Sequence, residues 1–382
     1  MKDVVWTICK KIEAAFGYNR ATEAVCSIFT FITCGPRLWS LNKESSSLIV
    51  VTAWMPAYID NISDVLSQLK SKGLRVVIFP EWQKGREESY NEEIKKYSDF
   101  DIYYDSHRAL PFIKSRLFLS STATKHYYFS KARKRFFYFH SVAGLSGFPE
   151  GGMDDYTDFL CATAQQFEEL RSRFEVLGYH KTLHEAGYPK FDVICKRLNV
   201  DGGQPSHPKA SIIRVLVAPS YASDDVYADV SMLPNIEPMI SCLLDLGYRV
   251  IFRPHPVSLR RGGFVEKIKL LKNFYANCPE FKFDQSQDYF ETYRSADVMI
   301  TDVSGTSMMF KAAFLKPVIF YTQNPKGAIE AFNSINQIGP ITDQIQAVAS
   351  LIDKAIITNS YEPPRIFRSG RSIEAFVNIL KG

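Results

Sequence analysis

Short, uninterrupted apolar runs recur along this chain, each followed by a stretch long enough for a helix. "SLIVVTAW" (Ser47–Trp54), "LRVVIFP" (Leu74–Pro80), Phe100–Asp105, Phe136–His140 and Phe159–Thr163 form a first series, with a helix over Ile59–Lys72. A half-exposed strand alternates polar with apolar residues. A run that is apolar at every position is instead covered on both faces, as in a parallel sheet sandwiched by helices. A second series runs through "IRVLVAP" (Ile213–Pro219), Tyr248–Phe252, Phe281–Asp284, "DVMIT" (Asp297–Thr301) and "PVIFYT" (Pro317–Thr322). Helices fall over Asn235–Leu246 and Ser307–Leu315. Between the two series lies "NVDGGQPSHPKAS" (Asn199–Ser211), polar and rich in Gly and Pro, as interdomain linkers are.

The expected fold is therefore α/β, with two Rossmann-like doubly wound parallel-sheet domains facing a central cleft, the architecture called GT-B. Residues 1–200 form the acceptor-side domain, with a helical N-terminal extension to about residue 42. Residues 201–382 form the nucleotide-donor domain. Its tail helices, Asp343–Thr358 and Ser372–Leu380, are candidates to cross back to the first domain.

Composition narrows the function. The chain is 46% hydrophobic and 23% charged, as soluble globular proteins are. Its net charge of +5 is too weak for a nucleic-acid binder and suits an anionic substrate or an anionic membrane face. The seven cysteines are scattered without a C-x-x-C pair, which predicts reduced thiols in a cytoplasmic protein with neither metal site nor cofactor. His180 and His184 are expected on a helix surface. No signal peptide is legible, and Ala24–Pro36 falls short of the roughly 20 apolar residues of a membrane span. The segment before it carries Trp6, Ile8, Ile12 and Phe16 among Lys10, Lys11 and Arg20. It reads either as a helix packed on its own domain or as one lying on a bilayer, peripheral at the inner face of the cytoplasmic membrane.

Three stretches carry candidate chemistry. "VIFRPHP" (Val250–Pro256) places Arg253 and His255 at the end of a buried strand, stiffened by Pro254 and Pro256. A guanidinium fork grips phosphate oxygens, and an imidazole donates to them or moves a proton. "ITDVSGTSMMF" (Ile300–Phe310) runs from a strand through Asp302, Ser304, Gly305 and Thr306 into a helix. The unpaired N–H groups of such a helix start bind phosphate, and Ser304 and Asp302 equally fit a plain cap and turn. "FFYFHSVAGLSG" (Phe136–Gly147) ends a strand at His140, suited to a general base on an incoming hydroxyl or to a structural role.

In this order the pieces resemble the CDP-glycerol glycerophosphotransferases of teichoic-acid synthesis and their capsule relatives. The resemblance is carried by His140, Tyr156 and Asp158, "GYPKFD" (Gly187–Asp192), "VAPS" (Val217–Ser220), "RPHP", "ADVMITDVSG" (Ala296–Gly305) and "KPVIFY" (Lys316–Tyr321). It spans about residues 136 to 322; the first 130 match in general architecture. It implies a cytidine-activated donor, CDP-glycerol or CDP-ribitol, and a lipid-linked or oligosaccharide hydroxyl as acceptor. The product is a teichoic-acid-like, capsule or O-antigen polymer, with CMP released. His140 would activate the acceptor, Arg253 and His255 would hold the diphosphate, and Ser304, Gly305 and Thr306, with Ser220 and Asp302, would line the phosphate site. Two positions depart from the pattern: Ser141 stands where the family prefers glycine, and Gly305 where a serine is usual.

A different chemistry rests on carboxylates. Glu150 lies in the loop after His140, and Asp224 and Asp225 follow "APS". A carboxylate pair suits sugar transfer through a covalent or acid-assisted step. Retaining transferases that use CMP-Kdo show a remoter likeness of this kind, so Kdo transfer through Asp224 and Glu150 is the alternative. A non-catalytic binding subunit of a capsule assembly complex is the second. Finally, "KARKR" (Lys131–Arg135) reads as contact with anionic lipid or as a solvated helix end.

Overall fold

The computed structural model describes residues 8–9, 11–12, 14–16, 20–53, 55–80, 93–104, 107–123, 129–145, 148, 151–200, 212–221, 229–260, 263–286, 288–332, 335–358 and 361–382. The chain divides into two compact units. One comprises Met1–His140, Phe148–Asp192 and Phe367–Gly382, the other Ser141–Gly147 and Val193–Ile366. The division falls inside the helix Pro189–Val200, and the 201–211 part of the expected linker lies outside the described residues.

The first unit is built on a seven-stranded sheet in the order β3-β2-β1-β4-β5-β6-β7. Its strands are β1 (Leu48–Ala53), β2 (Arg75–Pro80), β3 (Asp101–Ile102), β4 (Leu117–Ser120), β5 (Lys134–Tyr138), β6 (Asp158–Cys161) and β7 (Thr182–Glu185). Every pairing is parallel, with Val50 opposite Val77 on one side and Phe118 on the other. All six residues of β1 are buried, as an unbroken apolar run requires. Two strands escape the apolar-run reading. β4 ("LFLS") sits in mid-sheet, and β7 ("TLHE") is a polar edge strand.

The C-terminal helix Ser372–Lys381 belongs to this unit. Phe376, Val377 and Leu380 join Val65, Leu66 and Leu69 of the helix Ser63–Ser71 in one core. The "GYPKFD" motif holds it there. Asp192 accepts hydrogen bonds from the Gly370 and Ser372 N–H groups at 2.8 and 2.6 Å, capping the helix from another segment. Gly187 has φ +88°, and a Cβ there would stand 2.3 Å from the Phe367 carbonyl oxygen, so glycine is required on both counts.

The second unit carries six parallel strands, in the order β10-β9-β8-β11-β12-β13. They are β8 (Arg214–Val217), β9 (Arg249–Phe252), β10 (Phe281–Phe283), β11 (Val298–Thr301), β12 (Val318–Tyr321) and β13 (Ile341–Thr342). The helices Ile236–Asp245 and Ile345–Thr358 bury Met239, Ile240, Leu243, Val348 and Ile352 against Val215, Val217, Val250 and Ile319.

Two readings are corrected here. His184 is a strand residue in β7, with Nε2 2.9 Å from Asp158 Oδ1, because "TLHE" pairs with β6. Lys134 and Arg135 open β5, so "KARKR" marks the amino end of a strand and not a helix end. At about 3.3 Å per residue, the rest of the strand puts roughly 10 Å between Arg135 and Tyr138, with His140 beyond its carboxyl end.

Candidate functional site

The second sheet has the strand order of dinucleotide-binding folds. The chain builds outward from β8 to β9 and β10, then returns to lay β11, β12 and β13 on the other side. Loops leaving β8 and β11 therefore diverge, opening a crevice at their carboxyl ends where such folds bind ligands. Ser220 follows β8, His255 follows β9, and Asp302–Thr306 follow β11.

After β11 the helix Gly305–Phe314 starts at once, with Ser307 to Phe314 all buried. Ser304 is its cap, in extended conformation with φ −134° and ψ 123°. Its Oγ accepts from the Thr306 N–H at 3.4 Å and lies 2.9 Å from the Thr306 hydroxyl, and its carbonyl accepts from the Ser307 N–H at 3.2 Å. Ser304 is buried and Thr306 exposed, so Gly305 and Thr306 present the positive end of the helix outward.

Asp302 is buried and faces neither solvent nor an open site. Its Oδ1 accepts from the Ser220 N–H at 2.7 Å and its Oδ2 from the Met232 N–H at 2.9 Å. Burial raises its carboxyl above the usual range, against the pull of those N–H groups. Asp302 thus shapes the crevice by tying the β8 and β11 loops together.

Arg253 and His255 diverge in role. The Arg253 guanidinium bonds Asp284 Oδ2 at 2.6 Å, Ser286 Oγ at 3.0 Å and the Ser286 carbonyl at 2.8 Å. Side-chain exposures of 11% and 6% make Arg253–Asp284 a buried ion pair. Burial alone would raise the Asp284 carboxyl. Hydrogen bonds from Thr292 and Ser286, with the Arg253 charge, bring it down to about 2. Both terminal nitrogens of the expected phosphate fork are thus occupied by the loop after β10. His255 Nδ1 accepts from the Val257 N–H at 3.2 Å, which leaves the neutral ring's proton on Nε2 as a donor.

His140 lies in the first unit, two residues beyond β5. Its carbonyl accepts from Tyr188 Oη at 2.9 Å and Asn61 Nδ2 at 3.3 Å, and its ring stacks on Tyr58 at 4.1 Å and 14°. Burial lowers its pKa to about 4, with a hydrogen bond from the ring to the Ser121 backbone opposing. Nδ1 is buried with no hydrogen-bond partner among the described residues. The ring is thus neutral and proton-accepting near neutral pH.

Other motif residues hold the frame. Lys316 donates to the carbonyls of Tyr293, Arg294 and Ala296 at 2.6–3.0 Å, closing the helix Phe290–Ser295, and burial lowers it to about 8. Tyr156 donates to the Thr122 carbonyl at 2.7 Å. The sequence reading missed Tyr58, Asn61, Asp284 and Ser286; of these, Asp284 had left a signal, a charged residue closing an apolar run. Glu150, Asp224 and Asp225 lie outside the described residues, as do Trp6 and Lys10. Among the described residues no group of three His, Cys, Asp or Glu is placed to hold a metal ion.

Residues 152–328, just under half of the chain, match the family described as CDP-Glycerol:Poly(glycerophosphate) glycerophosphotransferase. The span includes "GYPKFD", "RPHP", Ser304–Thr306 and "KPVIFY"; His140 precedes it. No curated protein matches in sequence. Among solved structures, the wall teichoic acid polymerase TagF is 14% identical with a TM-score of 0.52, covering 94% of this chain and 93% of that one. The UDP-GlcNAc 2-epimerase of Methanocaldococcus jannaschii, in complex with UDP-GlcNAc and UDP, is 14% identical with a TM-score of 0.58, covering 87% and 99%. MnaA of S. aureus with UDP is 14% identical with a TM-score of 0.59, covering 88% and 96%. These likenesses establish the fold, GT-B, and the family match marks a transferase.

Proposed function

Starting from a GT-B transferase whose residues 152–328 match a glycerophosphotransferase family, we propose that the chain moves an alditol phosphate from a cytidine-activated donor. The donor is CDP-glycerol or CDP-ribitol, and the acceptor is a glycan or lipid-linked hydroxyl. The setting is teichoic-acid-like, capsule or O-antigen synthesis, in the cytoplasm at the membrane's inner face. One observation carries the reading: the Ser304-capped start of the helix Gly305–Phe314 at the β8/β11 crevice, inside the matched span.

The acceptor oxygen attacks the phosphorus bearing the alditol as the bond to the CMP oxygen breaks. His140, held neutral by burial, takes the hydroxyl proton. Negative charge gathers on the departing phosphate, where the Gly305 N–H and the His255 Nε2–H offset it. Arg253 acts as a positioning residue for the "RPHP" turn, and Asp302 and Ser304 hold the loops that form the crevice.

Calorimetry with CMP, CDP-glycerol and UDP tests the donor class, with cytidine preference expected. CMP release is then followed for wild type, Asp224→Asn and Glu150→Gln with CDP-glycerol and with CMP-Kdo. Unchanged turnover of CDP-glycerol by both variants supports phosphotransfer. A Kdo-sized mass adduct lost in Asp224→Asn would replace that reading with sugar transfer, and binding without turnover would leave a non-catalytic subunit.

A further inference from the structure

The helix Gly305–Phe314 buries every residue from Ser307 to Phe314, and one of these is a lysine. Lys311 is 2% exposed, set in "MMFKAAF". A lysine on a buried helix normally lays its methylene stem along apolar neighbours and returns its ammonium to water. At this exposure Lys311 keeps almost no contact with bulk water. Taking an ammonium out of water is costly, and burial lowers the Lys311 pKa accordingly.

Lys311 lines a cavity of about 100 Å³. Val318 at the amino end of β12, Ile338 ahead of β13 and Ala355 of the helix Ile345–Thr358 give it buried apolar walls. Lys354, exposed, and Tyr361, half-buried, carry the lining out to the surface. Gly339 draws the Ile338 wall in. A Cβ there would stand 2.2 Å from the Val318 carbonyl oxygen, so glycine is what permits the approach. Among the described residues the lining holds two lysines and no acid. An engineered apolar cavity of roughly 150 Å³ takes a benzene ring, so this one encloses about four or five non-hydrogen atoms.

The cavity is separate from the crevice. The crevice lies at the carboxyl ends of β8 and β11, the cavity at the amino ends of β12 and β13 in the same unit. Gly305 and Lys311 stand at the two sites on one helix, about 9 Å apart at 1.5 Å rise per residue.

We propose that this cavity is a second ligand site, for a small organic anion with a short apolar body. Its carboxylate or phosphate head lies between Lys311 and Lys354, and its body lies against Val318, Ile338 and Ala355. The apolar walls disfavour a bare inorganic ion, which would lose hydration against them, and the paired lysines disfavour a neutral hydrocarbon. The site stands on the second unit alone and holds whether or not the transfer reading does.

The test is calorimetric titration of the full chain with butyrate, butyl phosphate, inorganic phosphate and butan-1-ol. One or both organic anions are expected to bind at least about tenfold more tightly than inorganic phosphate or butan-1-ol, and the tighter names the head group. Lys311→Met keeps the apolar stem and is expected to weaken that binding about tenfold, as loss of a charge-assisted hydrogen bond does. Lys354→Gln is exposed and carries the test if Lys311→Met does not fold; its expected cost is about twofold to fivefold. His255→Ala should leave this binding unchanged, which separates the cavity from the crevice and a failure here from a failure of the transfer reading. Four results would overturn the assignment: no binding of either organic anion, equal binding of butan-1-ol or inorganic phosphate, wild-type affinity in the lysine variants, or loss of binding in His255→Ala.

Discussion

A Cβ placed on Gly305 would stand 3.1 Å from the Cβ of Ser141. That is closer than ordinary van der Waals contact, so the loop after His140 seats its first side chain on the first residue of the helix Gly305–Phe314. Ser141 and Gly305 are also the two positions where the chain departs from the family pattern. The small and the hydroxyl-bearing residue have changed places across one contact.

The two positions should therefore couple. Gly305→Ser alone is expected to destabilise the protein by about 1–3 kcal/mol through overpacking. Adding Ser141→Gly is expected to restore most of that loss and most of the turnover. A double-mutant cycle by thermal unfolding, with CMP release in parallel, reads this directly. Strict additivity would show that the contact sets neither.

Arg253 and His255 should separate in their effects. Arg253→Ala leaves the buried Asp284 carboxylate without its partner, at an expected cost of about 3–5 kcal/mol in unfolding free energy. The folded Asp284 pKa, about 2, lies below its ordinary 3.8. Its contribution is thus complete above pH 3.8 and is lost as pH falls from there toward 2. His255→Ala should leave stability unchanged while lowering kcat on the order of a hundredfold. Equal losses of stability in the two variants would contradict this division of labour.

The His140 pKa of about 4 lies below its ordinary 6.5 because burial disfavours the charged ring. The acid limb of turnover is therefore expected near pH 4, well below that of a free imidazole. The sign for stability follows from the unfolded chain taking up the proton first. His140's contribution is complete above pH 6.5 and falls as pH drops from 6.5 toward 4, by about 3 kcal/mol at most. A pH–rate profile and an NMR titration of the ring check this, and a limb near pH 6.5 would remove the buried-base reading. His140→Gln is expected to cost about 100-fold or more in kcat.

Asp192 should anchor the C-terminal helix. Asp192→Ala strands the Gly370 and Ser372 N–H groups, and its expected cost is about 2–4 kcal/mol. Limited proteolysis should then cut near Phe367–Arg371, ahead of global unfolding. Protection equal to wild type would show that packing of Phe376 and Leu380 suffices.

Where burial on both faces leaves a plain signature, the local sequence was enough. β1, β2, β8, β9, β11 and β12 fall inside their apolar runs, because a strand covered by helices admits few polar residues. The cap at Ser304 was legible for a similar reason, since capping is a matter of adjacent residues. What the local sequence does not encode is partnership across distance. Nothing near Arg253 announces that β10 pairs with β9 and delivers Asp284 to it from 31 residues away. "KARKR" shows its charge in any reading, but only the direction of β5 places it at the far end from His140. Along the helix Arg20–Lys43 apolar residues fall on both sides, with Leu38 and Leu41 buried and Ile28 and Ile32 exposed. Which of them faces inward was decided by the segment at Phe112 that it packs against, because an inward face is defined by what already occupies the interior.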